Sequence, residues 1–334
     1  MPSIIVPCLF LHCMACGLSD CGGIAAATDH SRQSLDSNAP DDVCHDAPPA
    51  SPLALLLDNS AHSNPLVTEP EPASRADKAG FTLLNPTPRS LMRNLSTDRP
   101  DVTESAYTVD AGHFQAEFSL VEYTRDHDYG ERTSGFSVLQ ANLKVGLLNN
   151  LGIQLVLNPY QNILTYGLSL SRRDSGFGDA ELRAKLNLRG NDSGRTAFSV
   201  LPLVRFPTGS GGLSDHRVEE GLILTLAAQG LRGGFDLGTM AESDLDRNEG
   251  NDGYGVDFVD SVTIGHRLST EKLNAYVEYV GIAPMRTSRT HLAYFDTGVT
   301  HALSKNVRLH AGINVGVSRL ADDFTVFAGL SFRR

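Results

Sequence analysis

The chain has 334 residues, with 28 Lys and Arg against 39 Asp and Glu, for a formal net charge of −11. That balance argues against nucleic acid as a partner, since phosphate recognition needs a basic face. Mean hydropathy is −0.16 and no run of 18 apolar residues occurs, which excludes a helical membrane span.

Residues 1–27 read as a signal peptide, with Ile4 to Leu11 as the apolar stretch and Ala25-Ala26-Ala27 as a small-residue cleavage site. All five cysteines, Cys8, Cys13, Cys16, Cys21 and Cys44, precede residue 45, and a body without thiols suits export through an oxidising compartment. Residues 28–95 are rich in Pro, Asp, Ser and Asn, and 12 of the 16 prolines precede residue 101. This composition predicts a disordered N-terminal segment. Residues 96–110 form a polar arm in which Arg99 stands between Asp98 and Asp101, with Glu104 following. Because the arm leads directly into the first strand, it either folds back into a lumen as a plug or caps the periplasmic end. The cap is the simpler expectation.

From residue 111 to 334 the sequence alternates with a period of two, as strands do. Ala180 to Leu188 shows it best, with Ala180, Leu182, Ala184, Leu186 and Leu188 on one face and Glu181, Arg183, Lys185 and Asn187 on the other. Before it come the apolar rows Phe114 to Leu120, Leu139 to Leu147 and Leu151 to Leu157. After it come Phe198 to Phe206, Leu222 to Ala228 and Phe235 to Ala241. An eighth row, Val256 to Ile264, is interrupted by Asp260, which predicts a bulge or a shifted register. Leu273 to Tyr279, Phe295 to Leu303, Val307 to Val317 and Phe324 to Phe332 complete a set of about twelve segments of the length a tilted membrane strand needs.

The connections near residues 148, 190, 231, 269 and 305 are short. Those at 124–135, 159–177, 207–218, 242–254 and 283–291 are long and polar. Outer-membrane barrels sort their turns in this way, short ones to the periplasm and long ones outward. The fold class expected is therefore all-β, a closed antiparallel transmembrane β-barrel of about 12 strands in the bacterial outer membrane. Its implied partners are outer-membrane lipid, the barrel-assembly machinery and a small-molecule solute.

A charge on the lipid face costs about 2 to 4 kcal/mol at the midplane, so the polar rows must face inward. Glu117, Lys144, Asp179, Glu181, Arg183, Lys185, Arg205, Glu278 and Arg308 are the candidate lumen-lining residues. They either line a conducting channel or fill it with cross-strand ion pairs. A lipid hydrolase would need a nucleophile polarised by an imidazole. His266, His291, His301 and His310 show no His-x-Ser spacing on a strand, so no catalytic residue is assigned. No metal-ligand spacing or phosphate-loop motif is present, and no cofactor is expected. A channel, a barrel that binds partners through its loops, and a hydrolase are the three readings weighed.

Ser96-Thr97-Asp98-Arg99-Pro100-Asp101, Thr103-Glu104-Ser105 and Tyr107-Thr108-Val109, leading into Gly112-His113-Phe114-Gln115, resemble the opening of the bacterial "MetA-pathway of phenol degradation" family of outer-membrane transporters. Further matching pieces are Gly178-Asp179-Ala180-Glu181-Leu182-Arg183, Phe206-Pro207-Thr208-Gly209, and Tyr276-Val277-Glu278-Tyr279-Val280-Gly281. The resemblance covers residues 96 to 334 and implies passive uptake of small, often aromatic or hydrophobic compounds. One departure stands at the C-terminus, where Phe332 is followed by Arg333 and Arg334 instead of ending the chain.

Overall fold

Period-two alternation becomes one continuous hydrogen-bonded ladder in the computed structural model, which describes residues 78–128, 130–167, 171–214, 216–247, 254–268, 272–284 and 291–334. The strands are β1 (Phe114–Asp128), β2 (Glu131–Leu148), β3 (Leu151–Leu157), β4 (Tyr160–Tyr166), β5 (Ser171–Gly176), β6 (Ala180–Arg189) and β7 (Thr196–Phe206). They continue with β8 (Glu219–Ala228), β9 (Phe235–Arg247), β10 (Tyr254–Arg267), β11 (Leu273–Pro284), β12 (Leu292–Ser304), β13 (Val307–Gly316) and β14 (Phe324–Arg333). Each pairs antiparallel with its neighbour, and β14 pairs back onto β1 from Gln115 opposite Arg333 to Arg125 opposite Phe324. Closure removes the free edges that an open sheet would present to lipid.

β2 pairs with β3 along one half and with β4 along the other in a single register, so β3 and β4 are one span interrupted at Asn158 and Pro159. Pro159 has no N–H to give the ladder. β5 and β6 are likewise one span, broken at Phe177 to Asp179. The fourteen strands therefore make a twelve-span barrel.

Outward and inward rows separate as the alternation requires. On β6, Leu182 and Leu188 are 42% and 55% exposed, whereas Arg183 and Lys185 are 1% and 2% exposed. Leu224, Leu226, Val262, Ile264, Leu309 and Val326 extend the same greasy belt around the cylinder.

Several expectations are corrected. The long connections at 124–135 and 159–177 are mostly strand, because β1 runs to Asp128, β2 starts at Glu131, and β4 and β5 occupy most of 160–176. Beyond the apolar belt both strand faces are polar, as in Ser171-Arg172-Arg173-Asp174-Ser175 of β5, so hydrophobic periodicity fades while backbone pairing continues. β9 and β11 likewise extend beyond their apolar rows to Arg247 and Pro284. The eighth row has neither bulge nor slip: β10 keeps one register against β9 and β11, and Asp260 stands on the outward side between Phe258 and Val262.

The irregularity lies elsewhere. The β1–β14 register shifts between Ser119 and Val121, and opposite it Leu139 has a positive φ of 58°. Both Ser137 and Gln140 are buried, so the inward row of β2 changes phase across Leu139. A bulge re-aims side chains in this manner.

Of the stretch expected to be disordered, residues 78–95 follow a defined course, with Thr82 bridged to Leu148 and a 3-10 turn at Arg89–Leu91. Their backbone and charged groups find partners on the barrel end, which composition alone could not reveal. The leader at 1–27 and residues 28–77 lie outside the described residues. At the C-terminus Phe332 faces outward and stacks on Phe118 at 6.2 Å between ring centroids, while Arg333 turns inward to Asp110 at 3.5 Å. The last outward side chain of β14 is thus aromatic after all.

Candidate functional site

The arm enters at the end of the barrel that carries the short turns. Lys78 Nζ reaches Asp110 Oδ1 at 3.2 Å and Asp192 Oδ1 at 2.7 Å. Arg93 donates from Nε to Asp192 at 2.9 Å, from Nη1 to the Thr108 carbonyl at 2.9 Å and from Nη2 to the Asn149 carbonyl at 2.6 Å. Burial would raise the Asp192 carboxyl, but the donors on Arg93, Lys78 and Asn149 outweigh it and hold the group down to about 2. The base of the arm is clamped to the turns at 149 and 192.

Beyond that clamp the chain passes inside the barrel. The amides of Asp98 and Arg99 donate to Glu117 Oε2 at 2.9 and 3.0 Å. Asp98 pairs with Lys144 at 2.5 Å and Lys185 at 3.0 Å and accepts the Ser105 amide at 3.0 Å. Arg99 Nη1 donates to Ser119 Oγ at 2.5 Å. At the tip, the Val102 and Thr103 amides donate to Glu278 at 2.7 and 2.8 Å, and the Thr103 hydroxyl lies 2.6 Å from that of Ser261. On the return, Glu104 pairs with Arg183 and, at 3.2 Å, with Lys185, while its carbonyl accepts the Thr225 hydroxyl. The Ala106 carbonyl accepts from Asn187 at 2.7 Å and Ser199 at 2.5 Å.

The arm thus touches β1, β2, β6, β7, β8, β10 and β11, which face one another across the bore. This corrects the expected periplasmic cap: the segment is a loop inside the cylinder. The reason is electrostatic, because Lys144, Arg183 and Lys185 on β2 and β6 face inward and would be buried without enough counter-charge if Asp98 and Glu104 were absent. Burial alone would raise Asp98, yet the Lys144 and Lys185 ammoniums hold it well below the usual carboxylate range. Glu104 is shifted upward by burial and by the Asp98 charge beside it, and Asp101 by burial and the nearby Glu278.

Most of the predicted lumen residues are brought together here. Glu117, Lys144, Arg183, Lys185 and Glu278 bind the arm. Arg205 bridges Glu181 at 2.9 Å and Glu219 at 2.5 Å, forming a second inward ion cluster. Arg308 is half-buried on the inward row of β13, outside both groups. Asp179 does not extend the β6 row: it lies in the break before β6, and its carboxylate accepts the Gly209 amide at 2.7 Å. Of the histidines, His310 is buried inward, His266 stands 4.6 Å from the Phe235 ring and His291 contacts the Tyr279 hydroxyl at 3.2 Å.

Sequence reasoning missed that much of the interior is apolar. Val102 of the arm packs with Leu201, Leu203, Ile223, Met240, Val259, Val280, Ile282, Leu292 and Tyr294, all buried inside the barrel wall. The signal was present in the run Val200-Leu201-Pro202-Leu203-Val204, which is greasy at odd and even positions alike, as a strand with two apolar faces must be.

A closed cylinder with an outward apolar belt and its charged groups turned inward is the β-structure that can cross a bilayer, and it places this chain in the bacterial outer membrane. Among solved structures, the COG4313 outer membrane channel from Pseudomonas putida F1 superposes with a TM-score of 0.53 at 12% identity, covering 72% of this chain and 100% of that one. The NanC porin gives 0.43 at 8% identity over 66% of this chain and 98% of that one. The translocator domain of the autotransporter NalP from Neisseria meningitidis gives 0.42 at 10% identity, over 66% and 88%. No curated protein matches. The family described as "Putative MetA-pathway of phenol degradation" matches residues 97–333, the arm together with the whole barrel, and the chain belongs to that family.

Proposed function

We propose that the protein is a passive outer-membrane channel for small solutes that carry an apolar portion, and that the arm holds it shut. The observation that carries this reading is the two-sided interior: ion pairs gather on the arm, on β1, β2 and β6 and at Arg205 and Glu219 of β7 and β8, whereas aliphatic and aromatic side chains line much of the bore from β7 to β12. A wall of the second kind suits solutes that are partly apolar, and sparse polar groups orient them. The Pseudomonas putida protein of similar fold is an outer membrane channel, which supports the same reading. The Lys144, Lys185 and Glu278 contacts that seat the arm are the groups a permeating solute displaces. Lipid acyl chains meet the outer belt, and the outward Phe332 near the C-terminus presents an aromatic signal to the barrel-assembly machinery.

A second reading rests on the completeness of the packing. Glu117, Gln140 and Ile223 are each 0% exposed, as expected of a barrel whose interior is structural filling and whose loops bind partners. Proteoliposome swelling separates the two. Removal of residues 96–108 is expected to admit benzyl alcohol and glycerol faster than the intact chain does. Equal rates for the two proteins would contradict the gated-channel reading and favour the filled barrel.

A further inference from the structure

Charge is divided unevenly around the bore. Glu242 and Asp244 of β9, Glu278 of β11 and Asp296 of β12 face inward, and none of the four is ion-paired among the described residues. The cations flanking the β9 pair, Arg183 and Arg205, are already engaged by Glu104, Glu181 and Glu219. Among the described residues the inward rows of β8 to β12 hold no Lys or Arg except Arg267, which is exposed at the short-turn end. Glu242 lies within hydrogen-bonding reach of Asp244, and Asp296 of Glu278; apart from these neighbouring acids, the carboxyl oxygens of Glu242, Oδ1 of Asp296 and the Tyr276 hydroxyl meet no hydrogen-bond partner among the described residues, although these residues are 1%, 2% and 8% exposed. Buried carboxyl oxygens that find no donor are costly to keep.

Register places apolar side chains between these acids. Glu242 stands opposite Val259, Val259 opposite Ile282, and Ile282 opposite Leu292. One step along the strands, Met240, Ser261, Val280 and Tyr294 form the next row, and Glu278 opposite Asp296 lies beyond it. Neighbouring strands are about 4.8 Å apart and residues rise about 3.3 Å along them, so Glu242 opposite Val259 and Glu278 opposite Thr263 stand on the order of 16 Å apart, two strands across and four residues along, with the apolar patch between them. Tyr276 and Tyr294 add ring faces that attract cations.

We infer that this β9–β12 wall binds small organic cations with an apolar body, the charge meeting an acid pair and the body lying on Met240, Val259, Val280 and Ile282. The inference rests on the channel reading for its route of entry but makes a binding claim of its own. Val102 of the arm packs on the same apolar patch, and Glu278 now accepts the amides of Val102 and Thr103. Cation and arm tip therefore compete for one wall.

The test is equilibrium dialysis of the full-length folded protein in detergent against benzyltrimethylammonium, benzyl alcohol and benzoate. The ammonium is expected to bind at least about tenfold more tightly than either comparator, and Glu242→Gln with Asp296→Asn to remove most of that advantage. Folding of the variant is confirmed by heat-modifiable gel migration. If the variant fails to fold, the wild-type ranking decides alone. Benzoate or benzyl alcohol binding as well as the ammonium overturns the inference, even if swelling shows a working channel. Ammonium binding by a protein that admits no solute would sustain this inference while the channel reading fails.

Discussion

Asp98→Asn isolates the ionic seat of the arm. The side chain is buried between Lys144 at 2.5 Å and Lys185 at 3.0 Å and accepts the Ser105 amide, so the substitution removes a charge while keeping its size. Deleting one partner of a buried pair costs about 3 to 5 kcal/mol, because the remaining charge stays desolvated. The lower end applies here, since Lys144 keeps Glu117 and Lys185 keeps Glu104. About 3 kcal/mol shifts the seated-to-released ratio by on the order of a hundredfold. In planar bilayers the variant is expected to open far more often than the wild type, and the Asp98 and Arg99 amides, which donate to Glu117 in the seated arm, to exchange hydrogen correspondingly faster. Wild-type gating together with wild-type hydrogen-exchange protection of the Asp98 and Arg99 amides in a folded variant would refute the claim that these lysines hold the arm.

Leu182→Arg puts a charge on the lipid face of β6 and is expected to cost about 2 to 4 kcal/mol near the midplane, read as an earlier urea midpoint in vesicles; an unchanged midpoint would mean the face does not meet lipid. The loop between β13 and β14 carries Asp322, whose carboxyl burial and the neighbouring Asp126 push up to about 7 from 3.8. A raised acid favours the docked loop while protonated, so docking is full below about pH 4 and is lost as pH rises through about 7. Protection factors at 317–323, with the intrinsic rise of exchange with pH divided out, should fall over that window in the wild type and stay flat in Asp322→Asn.

The barrel was legible because lipid and a wet interior force one period-two pattern on every span: Ala180 to Leu188 shows both faces in nine residues. Strand ends were not, because Thr124 to Asp128 and the β5 residues pair through backbone groups without an apolar row to mark them. The inward ion-pair partners on β2 and β6 followed from the same alternation. The position of the arm did not, since Asp98 and Glu104 read as solvated charges until the lysines and arginine they neutralise are known to lie across the bore. Asp260 looked like a register break because one outward acid interrupts the pattern that the backbone ladder ignores.

The position of the arm is tested most directly by covalent capture. Thr103 and Ser261 touch through their hydroxyls at 2.6 Å, one on the arm and one on the β10 wall. With the five N-terminal cysteines replaced by Ser, Thr103→Cys with Ser261→Cys is expected to cross-link under mild oxidant in the folded protein, lowering any conductance until a reductant restores it. A folded barrel in which these two positions never cross-link would show that the arm does not occupy the bore.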